Sequence, residues 1–110
     1  PTSAHDLAKH ILEYIIAKKP LSQGVQIFNL TEKGMTNWYE MACFIFCQTK
    51  RNVQVTPITT AAFGAKAPRP EWSVLDCQKF DQLNVSIRRH WKEALDECLL
   101  SLNENQRVGN

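Results

Sequence analysis

Ala67-Pro68-Arg69-Pro70-Glu71-Trp72-Ser73-Val74-Leu75-Asp76-Cys77-Gln78-Lys79 carries three different local signals in close succession. Pro68 and Pro70 fix the backbone on both sides of Arg69 and remove two donors, so this part reads as a stiff loop. Trp72-Ser73-Val74-Leu75 has the composition of a short strand. Asp76 then stands where an N-cap belongs, ahead of a short helix expected through Leu83. Helices and short strands alternating in this way along the chain point to an α/β or α+β arrangement.

Upstream, Thr59 to Pro70 contains Gly64, Pro68 and Pro70 among small residues and reads as a long loop. Loops of that length without structure of their own are uncommon and often functional. Val53-Gln54-Val55-Thr56-Pro57 alternates as a strand does, with Pro57 marking its end or an unpaired edge. Before it, Thr36 is placed to cap a helix from Asn37 to about Thr49, with Trp38, Met41, Ala42, Ile45 and Phe46 as a broad buried stripe. Val25-Gln26-Ile27-Phe28-Asn29-Leu30, bounded by Gly24 and Gly34, has the length and β-branched content of a strand. Ser3 and Asp6 form a capping-box-like start for a first helix from Ala4 to about Lys18, ended by Pro20. Downstream, Ser86 can cap a last helix with Ile87, Trp91, Ala94, Leu95, Cys98 and Leu99 on its inner side. Beside four helices, two or three short strands make a thin sheet, which would gain stability by joining a larger one or by pairing with another copy.

The length of 110 residues fits one domain. With 44% hydrophobic and 22% charged residues, the composition is that of a folded soluble protein. A net charge of +2 and a pI near 8.6 are too mild for a nucleic-acid surface, and the pairs Lys18-Lys19, Lys50-Arg51 and Arg88-Arg89 read as helix-end cations. The apolar run Cys43 to Cys47 is far shorter than the roughly 18 residues that span a bilayer. Pro1 to Asp6 lacks the basic start and apolar stretch of a signal peptide, and the missing initiator Met suggests an excised or processed start. A cytoplasmic location is expected, with Cys43, Cys47, Cys77 and Cys98 as reduced thiols.

Glycines 24, 34, 64 and 109 are too far apart for a dinucleotide-binding loop. Tyr14 and Lys18 satisfy Tyr-x-x-x-Lys, but two residues are a cheap pattern, explained equally by an outer-face tyrosine and a helix-end cation. His5, His10 and His90 have no spacing that links them to cysteines or carboxylates, and no metal site is expected. Arg69 remains. A guanidinium held between two prolines can grip a diphosphate through parallel hydrogen bonds; the alternative is a surface arginine paired with Asp76 or Glu71.

The run Ala67 to Lys79 resembles the A-x-R-P-x-x-S-x-L-D-x-x-K segment near the end of dTDP-4-dehydrorhamnose reductases. Pro1-Thr2 with Asp6-Leu7-Ala8 is similar to the P-T-x-x-x-D-L-A stretch of that family. Val25 to Leu30 and Thr36-Asn37-Trp38-Tyr39-Glu40-Met41-Ala42 resemble the strand and helix that come between. These matches, in order, cover nearly all of residues 1 to 100.

The resemblance implies the carboxyl-terminal, substrate-binding portion of a Rossmann-type reductase, an extended short-chain dehydrogenase, over residues 1–102, with 103–110 a frayed tail. Such enzymes reduce the 4-keto group of a dTDP-linked deoxysugar with NADPH or NADH, on the route to dTDP-L-rhamnose and cell-surface polysaccharide. The glycine-rich loop and catalytic Tyr-x-x-x-Lys of the family lie upstream of its P-T-x-x-x-D-L-A stretch, so Tyr14 and Lys18 are a chance match. No catalytic or cofactor-binding residue is assigned here, and the chain alone is not expected to transfer hydride. Arg69 is the implied ligand of the substrate diphosphate, and Pro1 and Thr2 begin the turn beside the sugar pocket. Implied partners are the dTDP-sugar and a missing amino-terminal Rossmann domain, with a second copy as a candidate and neither nucleic acid nor membrane. Two other readings stay open. The non-catalytic regulatory subunit of methionine adenosyltransferase shares a similar R-P-x-x-x-x-L-D pattern, and the chain could be a free-standing binding module. Ser73 is the residue that favours the reductases.

Overall fold

The structure, a computed structural model, describes residues 1–17 and 25–108, with side chains through Asn103. Among the described residues it contains five helices: α1 (Ala4–Ile16), α2 (Trp38–Gln48), α3 (Thr60–Phe63), α4 (Gln78–Asp81) and α5 (Trp91–Val108). The chain divides into two compact units, one of Pro1–Gly34 and Leu75–Asn110 and one of Met35–Val74.

In the first unit, α1 begins where its sequence requires: the Ser3 hydroxyl accepts the Asp6 amide at 3.3 Å. Its polarity is reversed with respect to an ordinary surface helix. Asp6 and His10 are buried, whereas Ile11, Leu12, Ile15 and Ile16 are 48 to 73% exposed. The apolar core of the unit is small and consists of Cys77, Phe80, Trp91 and Ala94 from α4, α5 and the residue before α4. An isolated parallel bridge joins Lys33 to His90: the Lys33 amide donates to the Arg89 carbonyl at 2.8 Å and the Trp91 amide to the Lys33 carbonyl at 3.0 Å. This bridge holds the chain extended up to the first residue of α5.

That geometry corrects the expected start of the last helix. Ser86 does not cap it, Ile87 is 85% exposed, and α5 begins only at Trp91. At its other end α5 continues past Leu102 to Val108. Asp76 does support the short helix expected there: its carboxylate accepts the Gln78 amide at 2.9 Å, one residue outside the N-cap position held by Cys77. The first helix ends at Ile16, and its expected extension to Lys18 lies outside the described residues.

None of the expected strands forms a ladder among the described residues. Val25–Leu30, Val53–Pro57 and Trp72–Leu75 form no strand, so the thin sheet is not built among the described residues. The physical reason is that a strand is defined by its partner, and β-branched composition alone supplies no backbone donors and acceptors opposite.

In the second unit, Asn37 caps α2, accepting the Glu40 amide at 2.8 Å, while Thr36 donates to the Glu40 carboxylate at 3.2 Å. The cap is thus one residue later than its sequence suggests. Helix α2 has no buried residue; Met41 to Phe46 are half-buried and Trp38 is 80% exposed, which overturns its expected place in a buried stripe. Trp38→Ala should therefore change the stability of the chain by less than about 0.5 kcal/mol, as measured by urea denaturation. A loss of several kcal/mol would show that the indole is covered in solution.

The expected loop Thr59 to Pro70 is also corrected at its start. Thr59 accepts the Ala62 amide at 3.1 Å and Gly64 closes the turn at φ 63°, so one helical turn, α3, forms between a good N-cap and a left-handed glycine. No described helix is long and apolar enough to cross a membrane.

Candidate functional site

The polar interior of the first unit is organised around α1. Arg89 grips Asp6 with both arms of its fork, Nε to Oδ2 at 2.5 Å and Nη2 to Oδ1 at 3.1 Å, and its Nη1 lies 2.5 Å from the Glu97 carboxylate. Glu32 lies beside this pair. One of its oxygens accepts the Ser3 amide at 3.3 Å, and Oε2 is buried without a hydrogen-bond partner. Burial pushes the Glu32 carboxyl above its ordinary range, and the neighbouring Asp6 pushes it further. Asp6 moves the other way: burial, the largest single influence, raises its pKa, but Arg89, Glu32 and His5 together outweigh it and lower the pKa overall.

A second network ties α1 to the segment before α5. His10 is buried, edge-on to Phe80 at 5.8 Å, with Nδ1 2.5 Å from the Ser86 hydroxyl, and Ser86 in turn donates to Glu13. The serine lies between imidazole and carboxylate, on the same ring nitrogen that the carboxylate approaches at 3.9 Å. A nucleophilic triad needs the acid and the serine on opposite nitrogens. This chain of bonds anchors α1 and does not activate Ser86. Next to it, Arg88 holds Asp81 through two bonds of 2.7 and 2.5 Å and the Thr31 carbonyl at 2.8 Å.

Burial lowers the His10 pKa below 6.5; Glu13 and Asp6 oppose that shift, and Lys9 and Arg88 reinforce it. The unfolded chain therefore takes up a proton more readily than the folded one, so this contribution to stability is complete above pH 6.5 and is lost as pH falls below it. Glu32 works in the opposite sense, because its raised pKa favours the fold below 4.5 and loses that effect as pH rises. Urea midpoints between about pH 7.5 and about pH 5.5 should fall for the wild type, and fall less for His10→Gln. Equal slopes for the two proteins would rule out His10 as the titrating group.

Pro1 and Thr2 are exposed and come together on the rim of a cleft of about 470 Å³, whose walls include Ser3, Glu32, Arg89 and Trp91. Arg69 belongs to the second unit, where it is exposed and makes no ion pair with its neighbour Glu71. The sequence-derived site is thus divided between the units, with Pro1 and Thr2 in one and Arg69 in the other. Tyr14 is tilted against Phe28 at 5.7 Å, and Lys18 lies outside the described residues. Among the described residues no group of three or more His, Cys, Asp or Glu is placed to hold a metal ion.

Asp6, His10, Glu32, Ser86 and Arg89 escaped identification as a cluster in the sequence. Asp6 carried the signal of a capping residue and Arg88-Arg89 that of a helix-end pair; neither signal names a partner more than 50 residues away.

Comparison with known proteins places this arrangement. A family profile described as RmlD substrate binding domain matches residues 1–104. The spore coat polysaccharide biosynthesis protein SpsK of Bacillus subtilis is 32% identical over 90% of this chain and 32% of its own length. A probable dTDP-4,6-dihydroxy-2-methyloxan-3-one 4-ketoreductase of Streptomyces antibioticus is 34% identical over 89% of this chain, again 32% of its own length. The crystal structure of a dTDP-4-dehydrorhamnose reductase from Clostridium acetobutylicum superposes with a TM-score of 0.78 at 39% identity, covering 94% of this chain and 35% of that one. The chain spans about a third of the length of the relatives it matches. It belongs to the RmlD substrate binding domain family.

Proposed function

We propose that this chain is the substrate-recognising portion of an NAD(P)H-dependent reductase that converts dTDP-4-dehydro-L-rhamnose to dTDP-L-rhamnose. The observation that carries the reading is the likeness to the Clostridium acetobutylicum dTDP-4-dehydrorhamnose reductase, at 39% identity over 94% of the chain. Residues 1–102 form the recognition domain, with the end of α5 as its tail. The remaining part of the polypeptide supplies a Rossmann domain, the nicotinamide cofactor and the catalytic tyrosine and lysine. The unladdered segments Val25–Leu30 and Val53–Pro57 become strands only when that part is present. The enzyme works in the cytoplasm, where its nucleotide-sugar substrate is made.

In this reading Arg69 binds the diphosphate of the dTDP-sugar. Its position between Pro68 and Pro70 limits the entropy lost when the guanidinium is ordered. Pro1 and Thr2 border the sugar. Arg69→Ala in the complete reductase should weaken substrate binding by about 1.5 to 3 kcal/mol, or about 10- to 150-fold, with the affinity for NADPH unchanged. Isothermal titration with dTDP decides it: unaltered affinity removes Arg69 from the site.

A further inference from the structure

Helix α1 carries half of a capping box. The Ser3 hydroxyl accepts the Asp6 amide, and in the complete motif the side chain at the third helical position reaches back to the N-cap amide. Asp6 holds that position but is turned to Arg89, whose fork engages both of its oxygens. The Ser3 amide is satisfied instead by Glu32, whose Oε1 accepts it at 3.3 Å from 29 residues away. Glu32 has little freedom to do otherwise, because its neighbours are clamped on both sides. The Arg88 guanidinium holds the Thr31 carbonyl at 2.8 Å, and the Lys33 backbone is bonded to Arg89 and Trp91 at 2.8 and 3.0 Å. Glu32 is itself 4% exposed, in the wall of the cleft whose rim carries Pro1 and Thr2.

A trans peptide directs its C=O opposite to its N–H, so the bond from Ser3 to Glu32 also fixes where the Thr2 carbonyl points. Thr2 is exposed, and among the described residues it makes no hydrogen bond through its amide, carbonyl or hydroxyl. Polar groups left unused on a backbone that a buried carboxyl group holds still are arranged for a ligand before it arrives. We propose that Glu32 is a positioning residue for the sugar: through the Ser3 amide it holds Thr2 so that the Thr2 carbonyl and hydroxyl meet hydroxyl groups of the nucleotide-linked sugar. A sugar hydroxyl both donates and accepts, which suits a carbonyl acceptor beside a threonine hydroxyl. Glu32 itself does not touch the sugar, and its role rests on the functional reading above.

Steady-state kinetics of the complete reductase with NADPH tests the role. Glu32→Leu keeps much of the side-chain volume and removes the acceptor. It should raise KM for dTDP-4-dehydro-L-rhamnose about three- to tenfold, the effect of one or two weakened hydrogen bonds, with kcat unchanged. KM for NADPH and inhibition by dTDP, which has no sugar, should not move. Glu32→Gln retains an accepting oxygen and should bring KM back to within about twofold of the wild type. If Glu32→Leu does not fold, Glu32→Asp, whose carboxyl group ends one methylene short of Ser3, should show the same selective rise. An unaltered KM for the sugar in the variant without the acceptor would overturn the proposal. So would an equal rise in the dTDP inhibition constant, which would mean that the whole domain is disturbed, or a Gln variant as impaired as the Leu one. A wild-type reductase that turns over no sugar removes the functional reading and this role with it; turnover with an unmoved KM removes the role of Glu32 alone.

Discussion

Gly34→Ala is expected to destabilise the chain by about 2 to 4 kcal/mol. Gly34 has φ 88°, where an L side chain is strained, and a Cβ added there would lie 2.4 Å from His90 Nε2 and 3.0 Å from Trp91 Cδ1. Strain of that kind costs about 1 to 3 kcal/mol, and a forced shift in a packed region costs a similar amount. The His90 ring can turn aside, which keeps the sum below the two maxima. Trp91 cannot, because it is 3% exposed and opens α5 directly after the Lys33–His90 bridge. Urea denaturation measures the loss, and amide exchange at Lys33 and Trp91 should rise with it. A change near zero would mean that the approach of residue 34 to residues 90 and 91 is not maintained in solution.

The second large effect is expected at Arg89. Replacing it by methionine keeps much of the side-chain volume and leaves the Asp6 carboxylate, whose side chain is 9% exposed, beside Glu32 with no cation. Breaking a buried pair costs about 3 to 5 kcal/mol. Arg89 is itself 30% exposed, so solvent screens part of the loss and about 2 to 4 kcal/mol is expected. In an Asp6→Asn background the same change should cost less than half as much, because no charge is then stranded. The linkage has a definite sign. Burial raises the Asp6 pKa, and Arg89 with Glu32 and His5 lowers it by more in sum, so these partners stabilise above pH 3.8 and the effect is lost as pH falls through the folded value. Arg89→Met should reduce that acid-side loss, with the contributions of Glu32 and His5 remaining. Equal costs in both backgrounds would show that Arg89 acts through packing alone.

The parts of this fold that were legible in the sequence are those decided locally. Helices α1 and α2 have periodic apolar residues and a capping side chain within three residues of the amide it satisfies, and both lie within two residues of their expected bounds at the described ends. The turn α3 had its signal too, with Thr59 three residues before Ala62 and Gly64 at the end, but the surrounding prolines outweighed it. What the sequence could not disclose depends on partners. Ser86 looked like an N-cap and is instead the hydroxyl that His10 and Glu13 share from 76 and 73 residues away. The spacing of Ile11, Leu12, Ile15 and Ile16 announces a helix but not which side turns inward, because periodicity gives a face and not the neighbour it meets. Val25–Leu30 has strand composition with no ladder opposite. For the candidate site, the motif around Arg69 was readable at once because two prolines and an arginine are a local pattern. Pro1 and Thr2 belong to the other unit, and no spacing in the sequence links them to Arg69.

The most direct test of the account is NADPH oxidation driven by dTDP-4-dehydro-L-rhamnose in the Clostridium acetobutylicum reductase whose matched region is replaced by Pro1–Leu102. Sugar-dependent oxidation, lost or weakened by Arg69→Ala through KM, is the predicted result. A folded chimera that binds NADPH but neither binds dTDP nor oxidises the cofactor on addition of the sugar would contradict the assignment of this chain to substrate recognition.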